Sequence, residues 1–378
     1  MSLIPEDPFL GREHEALRDR VHALGEKRLR GSAADESDPD GQTRRLVAGF
    51  GESGLLKHAV PAPFGSMDLR SLVVVREALA YYSSLADTAF VMQGLGSFPI
   101  SHAGTELQKQ TWLPQVVRGD MLAAFAVTEP EAGSDLGGVR TEAVRDGALW
   151  RMTGVKTFIS NAGLAGVYSV LARTSAAVGH DGLSMFLVDG EAPGISVRPL
   201  EVIAPHPIGE LRFDRTPALL LGEEGTGFKT AVATLEHFRP SVGAAACGLA
   251  ARALFEAVRH AQSRRQFGRP LSDFQAVKMA LAEMHVDLEA ARLLVLKAAW
   301  KKDLGGTIAR EGAMAKLAAT EMAQRVVDRA VQLHGGQGVL KGSTVERLYR
   351  EVRALRIYEG TSEIQKLVIA RSLLKESR

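Results

Sequence analysis

Two apolar stripes of helical period, separated by a glycine pair, constrain the fold of this chain more than any other feature. Val277, Leu281, Met284, Leu288, Ala291 and Val295 step by four, three, four, three and four, lining one face of a long helix. Ala313, Leu317, Thr320, Ala323, Val327 and Ala330 repeat the arrangement. Gly305-Gly306 lies between them, so the two helices are expected as antiparallel neighbours in a bundle. Helical patterning also governs the chain from about His14 to Val117, with an apolar stretch at 69–85 and loops expected at 61–65 and 94–99.

Between these helical regions the texture changes to short strands. Residues 141–145 and 148–152 flank Asp146-Gly147, a two-residue hairpin signal. Further strands are expected at 168–172, 183–188 and 195–199, which suggests an antiparallel sheet or small barrel. The order is α, then β, then α. A Rossmann or TIM fold needs regular βα alternation, which is absent.

A chain of 378 residues accommodates two or three domains and buries a large core without staples. Its single cysteine, Cys247, cannot form an internal disulfide, which favours a reducing compartment; in its apolar helical run it reads as a buried core residue. A net charge of +2 is too slight to argue for nucleic acid or an anionic membrane as partner. No run approaches the ~20 apolar positions of a membrane span. Residues 1–11 carry Glu6, Asp7 and two prolines instead of an apolar signal region, so a cytoplasmic location is expected.

Several motifs are excluded. Gly222-Glu-Glu-Gly-Thr-Gly227 lacks the lysine of a phosphate loop and reads as a turn before a helix. No Gly-x-Gly-x-x-Gly, Gly-x-Ser-x-Gly, HExxH or CxxC is present, and no metal site is expected. Four segments remain oddly polar or glycine-rich. Phe125-Ala-Val-Thr-Glu-Pro-Glu-Ala-Gly-Ser-Asp135 ends a strand in a loop of hydroxyls and N–H groups, suited to a phosphate, a flavin edge or a solvated turn. In Lys156-Thr-Phe-Ile-Ser-Asn-Ala-Gly163 an aromatic ring and a hydroxyl stand two residues apart, on one side of an extended strand. Ser263-Arg-Arg-Gln-Phe-Gly-Arg-Pro-Leu271 closes a helix with arginines, which suit either phosphate or the helix dipole. In Ile357-Tyr-Glu-Gly-Thr-Ser-Glu-Ile-Gln365, Ser362 and Gln365 read as a capping box. Capping leaves Glu359 unexplained. A carboxylate in apolar company gains proton affinity and becomes a candidate base.

Together these segments, with Leu-His-Gly-Gly-Gln-Gly, resemble the acyl-CoA dehydrogenase family in order and spacing over nearly the whole chain. The resemblance implies an α+β multidomain fold: an N-terminal α-helical domain (1–121), a middle antiparallel β-sheet or barrel domain (122–227) and a C-terminal four-helix bundle (228–378). It implies FAD, an acyl-CoA substrate oxidised to the trans-2-enoyl-CoA, and electrons passed to an electron-transferring flavoprotein. Glu359 matches the family's base, which takes the α proton while the β hydride leaves to flavin N5. The thioester carbonyl would be polarised by the base residue's own N–H and a ribityl hydroxyl.

Carried over position by position, Phe125, Val127, Thr128 and Ser134 would contact the flavin, Ser134 also reaching the acyl-CoA. Phe158, Ile159 and Ser160 would flank the isoalloxazine. Arg264 and Gln266 would reach the FAD of a neighbouring subunit, Gln332 and Gly336 would meet its adenosine part, and Phe267, Gln275, Gly335, Thr361 and Glu363 are further FAD contacts. Phe238, Arg239, Glu359, Gly360 and Arg371 would face the substrate. A cofactor shared between subunits implies a homo-oligomer, a dimer of dimers. Phe158 stands where tryptophan is usual and Ser160 where threonine is common. Phe238 occupies the place where some members carry an alternative base. The stretch 201–211, with Pro205-His-Pro207, departs from the family and has no reading from sequence. Acyl-CoA oxidases, nitroalkane oxidases and a non-catalytic scaffold are the competing readings; oxidases are usually longer, and nitroalkane oxidases carry aspartate at the position of Glu359.

Overall fold

A computed structural model describes residues 8–29, 36–147, 149–177 and 179–376. Among the described residues five α-helices come first: α1 (Arg12–Leu24), α2 (Pro39–Glu52), α3 (Leu69–Tyr82), α4 (Ser84–Ala103) and α5 (Glu106–Arg118). Strands β1 (Ala123–Ala126), β2 (Glu142–Asp146), β3 (Leu149–Ser160), β4 (Val167–Arg173), β5 (Leu183–Asp189), β6 (Ile195–Pro199) and β7 (Ile208–Leu221) follow. Then come α6 (Gly227–Ser263), a small hairpin of β8 (Arg265–Gln266) and β9 (Arg269–Pro270), α7 (Gln275–Asp303), α8 (Ala309–His334), α9 (Thr344–Arg353) and α10 (Ser362–Glu376). Contacts group the chain into two units: Met1–Glu36 with Leu69–Asp87 and Phe238–Arg378, and Ser37–Asp68 with Thr88–His237. The division falls within α4 and α6.

The sheet unit is built as the strand patterning requires. Asp146 pairs with Leu149 across the expected hairpin, where Gly147 takes φ +64°; Ala148 lies outside the described residues. The pairings β4–β2, β2–β3, β3–β7, β7–β5 and β5–β4 close on themselves, as those of a barrel do. They are mostly antiparallel, but β1 and β2 pair with β4 in parallel, so the sheet is mixed. Alternation along β4 sends Val167 and Leu171 to one face and Tyr168, Val170 and Ala172 to the other. The first face packs on Ile100, Leu113 and Val116, the second on Trp150, Phe186 and Phe213.

One expected loop is absent. Residues 94–99 continue α4 without a break. Gly96 is there for close approach, not for a turn: a Cβ on it would lie 2.4 Å from the Ala124 backbone nitrogen. Pro99 has no N–H to return to the preceding turn, and Ser169 Oγ donates to the Gly96 carbonyl at 2.7 Å.

In the helical unit the two stripes behave as read: Met284, Leu288, Ala291 and Val295 are buried on α7, and Ala313, Thr320, Ala323, Val327 and Ala330 on α8. α8 packs against α7, α9 and α10, and α6 approaches both α7 and α8 at Gly243. α6 is, by length and composition, apolar enough to cross a membrane, a feature the count of apolar runs missed; 67% of its apolar window is buried inside the protein.

Candidate active site

Glu359 sits in the turn between α9 and α10 with φ +53°, followed by Gly360 at φ +90°. A left-handed backbone is costly for glutamate, about 1–2 kcal/mol, and persists only where the surroundings enforce it. They do so through carbonyls. Lys316, buried on α8, donates to the carbonyls of Tyr358, at 2.5 Å, and of Gly360. Gln365 Nε2 donates to the Gly360 carbonyl at 2.8 Å and more weakly to that of Glu359 at 3.4 Å.

These contacts correct the expected capping box. Ser362 already lies within α10 and donates to Glu321 Oε1 at 2.6 Å, while Thr361 Oγ1 accepts from the Ile364 N–H at 3.4 Å as the helix cap. Gln365 is drawn inward because the left-handed turn presents carbonyls that need donors.

The carboxylate is half-buried, and its Oε2 is buried with no hydrogen-bond partner among the described residues. Burial pushes its proton affinity above the usual carboxylate range, against the pull of Arg76, Lys316 and Arg239. Apolar surroundings were expected; the structure instead sets the base among three cations. Arg76 on α3 is itself held by Asp87, at 2.8 and 2.7 Å, and by Ser241 Oγ at 2.8 Å. Burial opposes the Arg76 charge, but Asp87 overrides it and keeps the guanidinium protonated. Burial also raises the Tyr358 hydroxyl well above an ordinary phenol, beside Arg76 and Asp87. Arg239 is buried; Phe238 is wholly enclosed. Arg371 is exposed.

The sheet unit carries the other expected cluster. Val127 is buried and Phe125 partly so, while Thr128 is half-exposed and Ser134 exposed on the loop that follows. Lys156, with no exposed surface, donates to the Val127 carbonyl at 3.0 Å and to Glu129 Oε1 at 2.7 Å. Glu129 in turn accepts from the N–H groups of Arg140 at 2.7 Å and Thr141 at 2.9 Å. The loop is thereby closed onto β3. A register shift in β3 between Lys156 and Ile159 coincides with Phe158 at φ +55°. Ile159 is buried in the core, so Phe158, 63% exposed, and Ser160 both turn outward.

The stretch 201–211 now has a place. His206 presents Nε2 3.5 Å from Ser160 Oγ and Nδ1 3.0 Å from the Ala204 carbonyl, and burial lowers its pKa. Pro207 accepts from the Asn161 N–H at 2.9 Å. Sequence reading had no signal for this, because the partners are some 46 positions apart.

Among the described residues, nothing accepts from the N–H groups of Thr128, Gly133 and Ser134. With the hydroxyls of Thr128, Ser134 and Ser160 and the open face of Phe158, they form a neutral donor set beside an aromatic plane. That set fits the polar edge and face of a flavin ring.

In the helical unit, Arg264, Gln266, Phe267 and Gln275 are exposed, Phe267 by 93% and at φ +51°. Gln332, Gly335 and Gly336 are exposed as well. His260 stacks on His334 at 4.2 Å, which brings the C-terminal ends of α6 and α8, and these residues with them, to one place. Thr361 is half-buried and Glu363 exposed at the start of α10.

Known proteins resemble this chain over nearly its whole length. Models of the acyl-CoA dehydrogenase N-terminal, middle and C-terminal domains match residues 11–120, 124–216 and 225–374. A 3-(aryl)acrylate reductase of Clostridium sporogenes is 37% identical over 97% of this chain and 100% of its own length. A cyclohexane-1-carbonyl-CoA dehydrogenase of Geobacter metallireducens is 38% identical over 86% and 87%. The butyryl-CoA dehydrogenase structure from Megasphaera elsdenii superposes with a TM-score of 0.92 at 33% identity, covering 98% of this chain and 100% of that one.

Proposed function

This chain belongs to the acyl-CoA dehydrogenase family, an FAD-dependent family of oxidoreductases, and from that premise we propose that it oxidises an acyl-CoA thioester to its trans-2-enoyl-CoA with Glu359 as the base. One observation carries the reading: a half-buried carboxylate, its Oε2 unpartnered among the described residues, held in left-handed backbone amid Arg76, Lys316 and Arg239.

Bound FAD supplies the two-electron acceptor for the hydrogen leaving the β carbon. Thr128, Ser134 and Ser160 would hold its polar edge, with Phe158 beside the ring. Arg264, Gln266, Gln332 and Gly336 would serve the cofactor of a second subunit, in a dimer of dimers, with Phe267, Gln275 and Gly335 as further FAD contacts. Glu359 takes the α proton through its free oxygen, and its backbone N–H donates to the thioester carbonyl as negative charge develops there. Positioned general-base catalysis accounts for about 10²–10⁴ of the rate, alignment and electrostatics for the rest. Burial raises the proton affinity of Glu359, and the charges of Arg76, Lys316 and Arg239 oppose that rise. An electron-transferring flavoprotein receives the electrons, and the enzyme works in the cytoplasm.

The test is anaerobic mixing of the yellow holoprotein with a panel of acyl-CoAs. Bleaching of the flavin identifies substrates; no bleaching by any of them overturns the reading. Glu359→Gln is expected to keep FAD and lose bleaching, and an undiminished rate removes Glu359 from the role. The C. sporogenes relative is named a reductase, so the reverse direction is the second reading. It is favoured if an enoyl-CoA reoxidises the reduced enzyme faster than an electron-transferring flavoprotein does.

A further inference from the structure

Lys316 is a buried cation on a face of α8 whose other buried side chains are apolar apart from Thr320, and so far it has entered only through its charge near Glu359. Its ammonium donates to the carbonyls of Tyr358, at 2.5 Å, and of Gly360, the two residues that flank Glu359. We propose that Lys316 is a positioning residue that aims the Glu359 backbone N–H at the substrate thioester carbonyl and strengthens it as a donor.

The inference rests on the proposed function and deepens it. The peptide joining Tyr358 to Glu359 is planar and trans, so its C=O and N–H point in opposite directions. Holding the C=O on Lys316 turns the N–H of Glu359 away from α8. Among the described residues nothing accepts from that N–H, whereas every carbonyl of the Tyr358-Glu359-Gly360 turn has a donor, from Lys316 or Gln365. The turn is thus pinned through its acceptors and leaves a donor open. A cation bonded to a carbonyl also polarises the same amide, which makes its N–H a stronger donor. A lysine suits this task because it brings three donors on one compact head to converging carbonyls.

Lys316 also acts on the base through charge. Glu359 is faced by Arg76 of α3, Asp87 of α4, Arg239 of α6 and Lys316 of α8, with Tyr358 beside it. Burial lowers the Lys316 pKa to about 8, against the attraction of Glu359, so near pH 7 the side chain is mostly charged. Removing that charge disfavours ionised Glu359 and moves the acid limb of the rate profile to higher pH.

The experiment uses the holoenzyme with Lys316→Met, which removes charge and donors, and Lys316→Gln, which keeps one donor group without charge. Infrared difference spectra of acyl-CoA labelled with ¹³C at the thioester carbonyl are read in a Glu359→Gln background. There chemistry stops but the backbone N–H remains. The lowering of the carbonyl stretch on binding is expected to shrink on adding Lys316→Met, because the Glu359 N–H loses both its aim and the polarisation that the cation transmits through the amide. In the Glu359 enzyme, Lys316→Met is expected to slow single-turnover bleaching by about 10²-fold, the scale of one lost oxyanion donor, with Lys316→Gln between. Unchanged carbonyl stretch overturns the proposal, with or without a fall in rate, since a structural role alone lowers rate. Failure of both variants to fold with FAD overturns it too, by assigning Lys316 to stability. If the unsubstituted enzyme bleaches with no acyl-CoA, the function has failed and not the role of Lys316.

Discussion

Replacing Lys156 with methionine is expected to release the loop proposed to hold the flavin. The Lys156 ammonium, fully buried, reaches Glu129 at 2.7 Å and the Val127 carbonyl at 3.0 Å. Burial pushes its pKa down to about 8, and the Glu129 carboxyl, despite its own burial, is held below the usual range by Lys156 and the Arg140 N–H. Both groups are therefore mainly charged at pH 7. Methionine fills similar space but leaves a buried carboxylate unpaired, and breaking such a pair costs about 3–5 kcal/mol. At roughly 1.4 kcal/mol per decade, local opening becomes about 10²- to 4 × 10³-fold more frequent. Hydrogen exchange read by mass spectrometry on peptides containing Arg140, Thr141 and Thr157 measures it, since Thr157 N–H bonds the Thr128 carbonyl at 2.9 Å. Peptides from α8 serve as the control. Adding Glu129→Gln removes the stranded charge while keeping an acceptor for the two N–H groups, so much of the protection returns. Unchanged exchange at Arg140 and Thr141 in Lys156→Met refutes the reasoning, as does a double variant worse than the single one. In the unsubstituted protein the Glu129 contribution is present above its unfolded pKa, about 4.3, and is lost as pH falls through the lower folded value.

Three further outcomes follow from particular residues. Because burial raises the Glu359 pKa and the base works only when deprotonated, bleaching slows on the acid side with a limb above the ordinary carboxylate value of about 4.3; a limb at or below it, in single-turnover pH profiles, counts against the burial account. Cys247 is fully buried with its thiol pushed well above the ordinary range, so a thiol reagent modifies it only after denaturant is added, and stoichiometric labelling of folded protein contradicts this. Gly227→Ala would place a Cβ 2.3 Å from the Ser184 carbonyl carbon, so a loss of about 1–3 kcal/mol is expected in the urea midpoint; an unchanged midpoint contradicts it.

The parts of the fold visible in sequence are those that repeat locally. The α7 and α8 stripes recur every three or four residues, and Asp146-Gly147 announces a turn by backbone preference alone. What stayed hidden depends on partners remote along the chain. Lys316 lies 42 positions from Tyr358, and Lys156 lies 27 from Glu129. A charged residue on a helix reads as solvated until its distant partner is known. Arg76 and Asp87 were hidden as well, Arg76 inside the stretch 69–85 read simply as apolar and Asp87 just beyond it. The expected loop at 94–99 failed differently: glycine serves both turns and close packing, and only the Gly96–Ala124 approach tells which.

Backbone strain joins the two parts of the proposed site to these hidden anchors. Among the described residues five non-glycines take positive φ: Phe158, Asn161, Arg215, Phe267 and Glu359. Asparagine tolerates that region intrinsically, and Asn161 is further tied by Nδ2 to the Ala123 carbonyl at 3.0 Å. Phenylalanine and glutamate do not tolerate it, so each needs neighbours that over-determine its conformation. Phe158 stands between Lys156, ion-paired in the interior, and Ile159, buried in the core. Glu359 stands between two carbonyls that Lys316 holds. Glycine at either place would relieve the backbone, so the side chains there answer to chemistry and not to local stability. In each unit, then, a motif residue goes with a buried lysine that fixes its surroundings, and only the motif residue is conspicuous along the chain.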